Sequence, residues 1–363
     1  MAVHLGQRGP GHQARAAVAS GGEEDATPDA FSLGQVDWAP LSTLCESQAI
    51  TVLGTSAPAA VSISGGEYSV NGGGWTSAPG TVDPGDNVKV RCAAAATVAT
   101  TLEAMLTIGG VSDAFAVTTV GHAETSAVVL RFATPASDAR RGLIDAVIGT
   151  LKVDGVWAKL DAFYMLAAHD AQAAHCNWVQ DAFNLTPVNT PVFETDLGYS
   201  GAPATQGHLD TGFNDLTGSA LWSQDSFCAG AYINLAPSAA NSFVGLVGAA
   251  SMRLGATTTH ITTRIRAGSS FNPVFANATP AHIAITRDSA TSSRVVRNGV
   301  QAGATSSAAS VTPSDSNVTL FRSISSYNGD RMACAHLGGA LSIAEAASLH
   351  AAVATYLTAL GAA

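Results

Sequence analysis

Three runs within residues 62–119 decide the reading: SISGGEYSVNGGGW (62–75), GTVDPGDNVKVRC (80–92) and LTIGGVSDAFAVTT (106–119). Their period is two. Val61 and Ile63 alternate with Ser62 and Ser64, Tyr68 and Val70 flank Ser69, and Val88, Val90 and Cys92 share a face opposite Lys89 and Arg91. Such a period sends successive side chains to opposite faces, so these are strands with one face in a core. Between them stand Gly-Gly, Asn-Gly and Pro-Gly-Asp, residues that accept positive φ or preset a turn. Leu106 and Ile108 lead into Gly109-Gly110, and Val111, Phe115 and Val117 follow. Residues 28–120 therefore predict a strand-only sandwich. The stretch carries no acid/base pair, metal cluster or phosphate loop, which points to an architectural or binding module.

The chain has 363 residues, enough for two domains, and charged residues make up only 12% of it. Abundant Gly, Ala, Ser and Thr suit tight turns and close strands, with little to build a charged catalytic cleft. The formal net charge is −10. Between Ala26 and Val120 the basic residues are Lys89 and Arg91 alone, against Asp29, Asp37, Glu46, Glu67, Asp83, Asp86, Glu103 and Asp113. Such a chain gains nothing from counterion release, so nucleic acid is excluded as a partner. Five cysteines (Cys45, Cys92, Cys176, Cys228, Cys334) are odd in number and widely spaced, and read as mostly buried reduced thiols. Cys45 and Cys92 share the first module and could face each other across it. The N-terminal MAVHLGQRGPGHQARAA lacks the apolar core of a secretory signal, and no apolar run approaches the length that spans a bilayer.

Outward from the module, residues 1–27 are rich in Gly, Ala, Gln and Arg before the acidic Glu23, Glu24 and Asp25, a composition that predicts a flexible arm. Residues 121–161 read as a linker (121–136) and a helical segment. In the latter, Ile144, Ile148 and Leu151 form a stripe over 137–153, with Asp138 near its start. VWAKLDAFYMLAA (156–168) predicts a short helix running into a buried strand. From 162 to 363 strands return: HLDTGFN (208–214), FCAGAYINL (227–235) and AHIAITRDSATSSRVVRNGVQAG (281–303), the last with Asn298-Gly299 as a type I′ turn. LSIAEAASLHAAVATYLTALG (341–361) closes the chain as a helix. Ser342 and Glu345 form its capping box, Leu349, Val353, Leu357 and Leu360 its apolar stripe, and Gly361 its stop.

The NGG-W-T and IGG-V-S-D-x-F segments resemble the Ig-like modules of bacterial surface proteins and bacteriophage structural proteins. The order HLDTGFN, then the R-D and N-G hairpin, then the L-S-x-x-E helix, is similar to the laminin-G/concanavalin A-like jelly roll at the C-terminal ends of phage tail and other virion proteins. The resemblance implies an all-β fold with accessory helices, an Ig-like sandwich followed by a jelly roll.

The concanavalin-like fold also hosts retaining glycosidases, which need two carboxylates about 5 Å apart. Glu194 and Asp196 are a partial echo lacking the third acidic residue, and read better as a solvated strand end. His169 and His175 are six apart, not the four that places two imidazoles on one helical face. A Ca²⁺ site at a loop edge would draw oxygens from Asp210, Asn214 and Asp215, although turn-forming Asx residues explain the same letters. Sugar binding would use exposed aromatics, with Trp222, Tyr232 and Tyr327 as candidates, although a place in the sandwich core is the more natural one for each.

These readings converge on a non-enzymatic virion protein, and the resemblance implies a tail fibre or tip component displaying a binding domain for host-surface attachment, with host-surface glycan as a candidate partner. Capsid decoration or a head fibre is the alternative, and a glycan-binding bacterial surface protein the contrasting class. The expected partners are other virion proteins and further copies of the chain, a homotrimer by resemblance. The N-terminal arm, with Arg8 and Arg15, would fold against neighbouring subunits, and no membrane insertion is expected.

Overall fold

The computed structural model describes residues 24–235, 241–246, 252–256, 261–265, 267, 270, 272, 280–324 and 326–363. The fold is mostly β-sheet with few helices. Contacts divide the chain into two units. The first holds the described residues up to Gly34 with Glu46–Arg91 and Ala104–Phe115; the second holds Gln35–Cys45, Cys92–Glu103 and Ala116–Ala363.

In the first unit, strand Ala59–Ser64 lies between Gly80–Val82 and the Met105–Ile108 portion of strand Thr101–Ile108, antiparallel to both. A second layer pairs Glu67–Val70 and Ile50–Thr51 with strand Asn87–Ala93. Alternation holds as the sequence predicts: Val88 and Val90 are buried and Lys89 is exposed. The two-residue turn Gly109-Gly110 has φ of 54° and 87°, the positive values a type I′ hairpin needs. Gly109 is also a contact point, since a Cβ there would fall 2.0 Å from the Ala26 carbonyl oxygen. Residues 25–27, expected in the flexible arm, belong to this sandwich: Ser56 N–H and Ala57 N–H donate to the Asp25 carbonyl at 2.7 and 3.1 Å. Residues 1–23 of that arm, Arg8 and Arg15 included, lie outside the described residues.

In the second unit, Gln35–Ala39 pairs in parallel with the Ala116–Thr119 end of strand Val111–Thr119. The segment expected as a linker is folded: it contains helix Ala123–Val129, and Val128, Val129 and Phe132 are buried. Small and polar letters hid a short apolar stripe there. Helix Asp138–Val153 starts at Ser137, whose hydroxyl accepts from Arg140 N–H, and buries Ile144, Ile148 and Leu151. A 3₁₀ turn, Trp157–Lys159, leads into the fully buried strand Leu160–Met165.

The remainder is a two-sheet jelly-roll-type sandwich. One sheet runs, in spatial order, Val192–Glu194, Gly198–Ser200, Arg331–Gly338, Phe227–Ile233, Ala281–Ser289, Ser292–Arg297 and Val300–Ser306, with Leu160–Met165 also on Arg331–Gly338. The other runs Thr186–Val188, His208–Asn214, Asn317–Leu320, Asn241–Leu246, Met252–Ala256 and Ile261–Ile265. Asn298 and Gly299 turn the predicted hairpin with φ of 50° and 77°. Helix Ile343–Leu360 carries the complete Ser342/Glu345 capping box and ends at Gly361 in the left-handed region. By length and composition this helix is apolar enough to cross a membrane, a property the sequence reading missed. Here Leu349, Val353, Tyr356 and Leu357 are buried in the fold.

One side chain ties these layers. Arg140 is nearly buried; its guanidinium donates to Asp196 Oδ1 at 2.5 Å, Tyr356 OH at 3.0 Å and the Ala167 carbonyl at 3.4 Å. Asp196 sits at φ 62° in the turn between strands Val192–Glu194 and Gly198–Ser200. Asp196→Asn keeps a side-chain oxygen but removes the negative charge, leaving a desolvated guanidinium without its counter-ion, so it should cost about 1–3 kcal/mol. Glu194 is 44% exposed and pairs with Arg331 at 2.5 Å, so Glu194→Gln should cost less than about 1 kcal/mol. Urea denaturation of the two variants checks the order; equal stability would remove Arg140 from this role.

Candidate functional site

The aromatics singled out for sugar binding separate cleanly. Trp222 is core: its Nε1–H donates to Asp215 Oδ1 at 3.0 Å, and Phe213 and Phe227 pack on its ring. Tyr232 is equally buried, against His282 and His350. Neither is a platform for a ligand, because a two-layer sandwich with few aromatics spends them inside. Tyr327 alone is half-exposed, with Arg322 at 5.5 Å from its ring centroid and His208 at 5.7 Å.

The calcium candidates are occupied by turn chemistry. Asp210 Oδ1 accepts from Gly212 N–H at 2.8 Å, and Asn214 Oδ1 accepts from Leu216 N–H at 2.9 Å. Asp215 is buried and its second oxygen accepts from Ser314 N–H at 2.8 Å. Among the described residues no group of three or more His, Cys, Asp or Glu is arranged to hold a metal. His169 Nε2 lies 2.8 Å from the Thr134 carbonyl and His175 Nε2 2.7 Å from Tyr199 OH, two separate structural pairs. Glu194 and Asp196, read as a solvated strand end, are each committed to an arginine. All five cysteines are free, four of them buried.

The site that the structure does build lies in the first unit, on residues the sequence reading treated only as turn. Asn71 (φ 51°) and Gly72 (φ 72°) reverse the chain after strand Glu67–Val70, and Gly73 N–H closes the turn on the Val70 carbonyl at 2.9 Å. Asn71 also braces the neighbouring strand: its Oδ1 accepts from Asn87 N–H at 2.9 Å and its Nδ2 donates to Asp86 at 2.7 Å. The Asp83 backbone N–H, and then this amide, hold the Asp86 carboxyl below its usual range. A Cβ at Gly72 or Gly74 would meet nothing within 4 Å, so the glycine run leaves open space around the turn. Trp75 follows, with the Arg91 guanidinium 4.6 Å from its ring centroid and Arg91 itself fixed by Glu67 at 2.5 Å.

The result is a groove of ≈ 460 Å³ lined by Trp75, Asn71, Asn87, Ser69, Lys89 and Glu46, together with Ala49, Gly72 and Gly73. Lys89 and Glu46 pair at 3.3 Å across it and are half-exposed, so the groove carries no net charge. Arg91 is not part of the lining. The signal was present in NGGGW, where a tryptophan follows directly on a hairpin turn.

A second groove of ≈ 460 Å³ lies in the other unit, lined by Asp37, Trp38, Ala99, Thr118, Thr119, Gly121 and Asp145. Trp38 is exposed at φ 57°, its carbonyl held by Arg141 Nε at 2.6 Å. Asp145 is saturated by His122 N–H, His122 Nδ1 and the Thr125 hydroxyl.

No protein-family model matches the chain, and no curated protein does. Among solved structures, similarity is found to domain 4 of a GH43 extracellular arabinanase from Geobacillus stearothermophilus in complex with arabinotriose, at 13% identity over 53% of this chain and 98% of that one, TM-score 0.40. The binding domain of botulinum neurotoxin DC in complex with rat synaptotagmin II is similar at 9% identity over 54% and 52%, TM-score 0.41. A Trypanosoma rangeli sialidase is similar at 12% identity over 69% and 43%, TM-score 0.37. The chain spans about half or less of the last two. All three are partial likenesses.

Because Asp210, Asn214 and Asp215 already serve local donors, neither calcium nor EDTA should shift the thermal midpoint of the full chain. A calcium-dependent rise that disappears in Asp210→Asn would instead make this loop edge a metal site.

Proposed function

We propose that the chain is a non-catalytic glycan-binding protein whose ligand seats in the Trp75 groove. The observation that carries this is an indole lining an open groove, braced by the Arg91–Glu67 pair and set among the Asn71 and Asn87 amides. Pyranose rings present apolar C–H faces and a rim of hydroxyls, which such a surface matches with one aromatic plane and several donors and acceptors. The Lys89–Glu46 pair leaves no net charge, so the ligand class is a neutral polysaccharide. The brace fixes the ring before binding and so reduces the ordering cost of association.

The setting belongs to the same proposal. The setting we propose, from the sequence resemblance alone, is a homo-oligomer on a phage tail fibre or tip, with capsid decoration or a head fibre as the alternative. Gold-labelled antibody against the chain, applied to particles from a lysate, tests this; label confined to the bacterial envelope would replace it with a surface glycan-binding protein.

For the site, the full chain is screened on a glycan array and the best neutral ligand titrated by calorimetry. Trp75→Ala should weaken binding on the order of 30-fold, the loss typical of an aromatic anchor. Trp38→Ala, in the other groove, should leave it unchanged. Binding that survives Trp75→Ala and is lost in Trp38→Ala would move the site, and no binding to any neutral glycan would overturn the reading.

A further inference from the structure

Three histidines far apart in sequence meet in the second unit. His282 comes from strand Ala281–Ser289, His336 from strand Arg331–Gly338 and His350 from helix Ile343–Leu360. The first two strands flank Phe227–Ile233, which contributes Tyr232 beside them and Gly230 between them. A Cβ on Gly230 would fall 2.4 Å from His336 Nε2, so the imidazole lies directly over that glycine. His282 Nε2 and His336 Nε2 are 3.1 Å apart, and the His282 ring centroid is 5.2 Å from that of His336 and 5.8 Å from that of His350. Tyr232 stacks on His350 at 6.5 Å. His282 and His336 are buried, His350 is half-buried, and among the described residues Nδ1 of both His336 and His350 has no hydrogen-bond partner.

A contact between two Nε2 atoms at this distance requires at least one neutral ring, and a small cavity beside it is walled by Ala284, Val296, Leu341, Ala346 and Leu349. Among the described residues that line this cavity there is no carboxylate to compensate an added proton. The titratable groups on the packed elements are otherwise committed or neutral. On the helix, Glu345 pairs with Lys159 at 2.6 Å and the Tyr356 hydroxyl oxygen accepts from Arg140. On the two strands nearest His336, Cys228 and Cys334 are buried thiols pushed far up by burial, and Tyr232 is likewise raised. At the far end of the His282 strand, Arg287 donates to the Ser289, Ala290 and Ala308 carbonyls and Asp288 pairs with Arg294. Arg297, on the next strand, lies opposite Ile283, whereas Val296, opposite Ala284, lines the cavity.

We infer that this cluster is an acid-sensitive latch, which seats helix Ile343–Leu360 on the sheet at neutral pH and releases it in acid. Burial holds all three imidazoles neutral in the folded protein: His336 is pushed down to about 3, His282 well below its ordinary value by burial and then by its two neighbours, and His350 down by burial. Histidines of the released state titrate near their ordinary value of 6.5. The released state therefore binds more protons below that pH. The seat is fully stable above about pH 6.5 and is lost as the pH falls toward about 3. Release would uncover the Leu349, Val353 and Leu357 stripe.

The test is amide hydrogen exchange of residues 349–360 in the full chain from about pH 7 to about pH 5, corrected for intrinsic rates, a window above the ordinary carboxylate range. Protection should fall by up to about 30-fold across the window for each histidine kept neutral in the folded state. His336→Leu should remove one such share of the slope. If that variant does not fold, His350→Gln, at a half-buried position, should flatten the slope by a smaller share. Protection that is constant from pH 7 to pH 5 in the unmodified chain, or an unaltered slope in the variants, overturns the latch.

Discussion

A nearly buried guanidinium is the constraint on which the larger unit depends. Arg140 sits in the first turn of helix Asp138–Val153, yet its partners are a hairpin turn, the strand-end carbonyl of Ala167 and the hydroxyl of Tyr356 on the C-terminal helix. An arginine cannot shed its charge, so desolvating it forces each neighbour to supply a fixed acceptor. Asp196 meets that requirement from a left-handed turn, and the Tyr356 hydroxyl ties helix Asp138–Val153 to the C-terminal helix. Trp178 packs edge to face on Tyr356 and tilted against Phe163.

The aromatic economy of the chain explains where binding chemistry can lie. With 6% aromatic residues, the jelly-roll sandwich consumes nearly all of its large rings as core. Trp75 escapes because it follows a turn, where a side chain has no opposite sheet to pack on. A ring left outside the core needs another partner to hold it, and Arg91 is that partner. Polar groups in this groove come from strand positions that alternate outward, so the period that buries Val88 and Val90 also presents Asn87 and Lys89.

Much of the fold was legible because its signals are local. Ser342 and Glu345, Asn298-Gly299 and Gly109-Gly110 specify caps and turns by backbone chemistry within a few residues, and each appears where the letters place it. The stretch 121–136 misled because a single helix of seven residues carries too few apolar positions to show a period, and its burial depends on what covers it. Trp222 and Tyr232 stayed open between core and site for the opposite reason: an aromatic in a strand has the same letters whether its face is covered or not.

By itself the sequence determined the strand periods, the turns, the two longer helices and the all-β class, since these follow from steric and hydrogen-bonding preferences of neighbouring residues. Tertiary structure alone decided which carboxylates meet arginines, which tryptophans line grooves, and that His282, His336 and His350 share one site. Those juxtapositions join residues tens of positions apart. They are set by sheet order and by which face a helix covers, quantities to which no local preference along the chain responds.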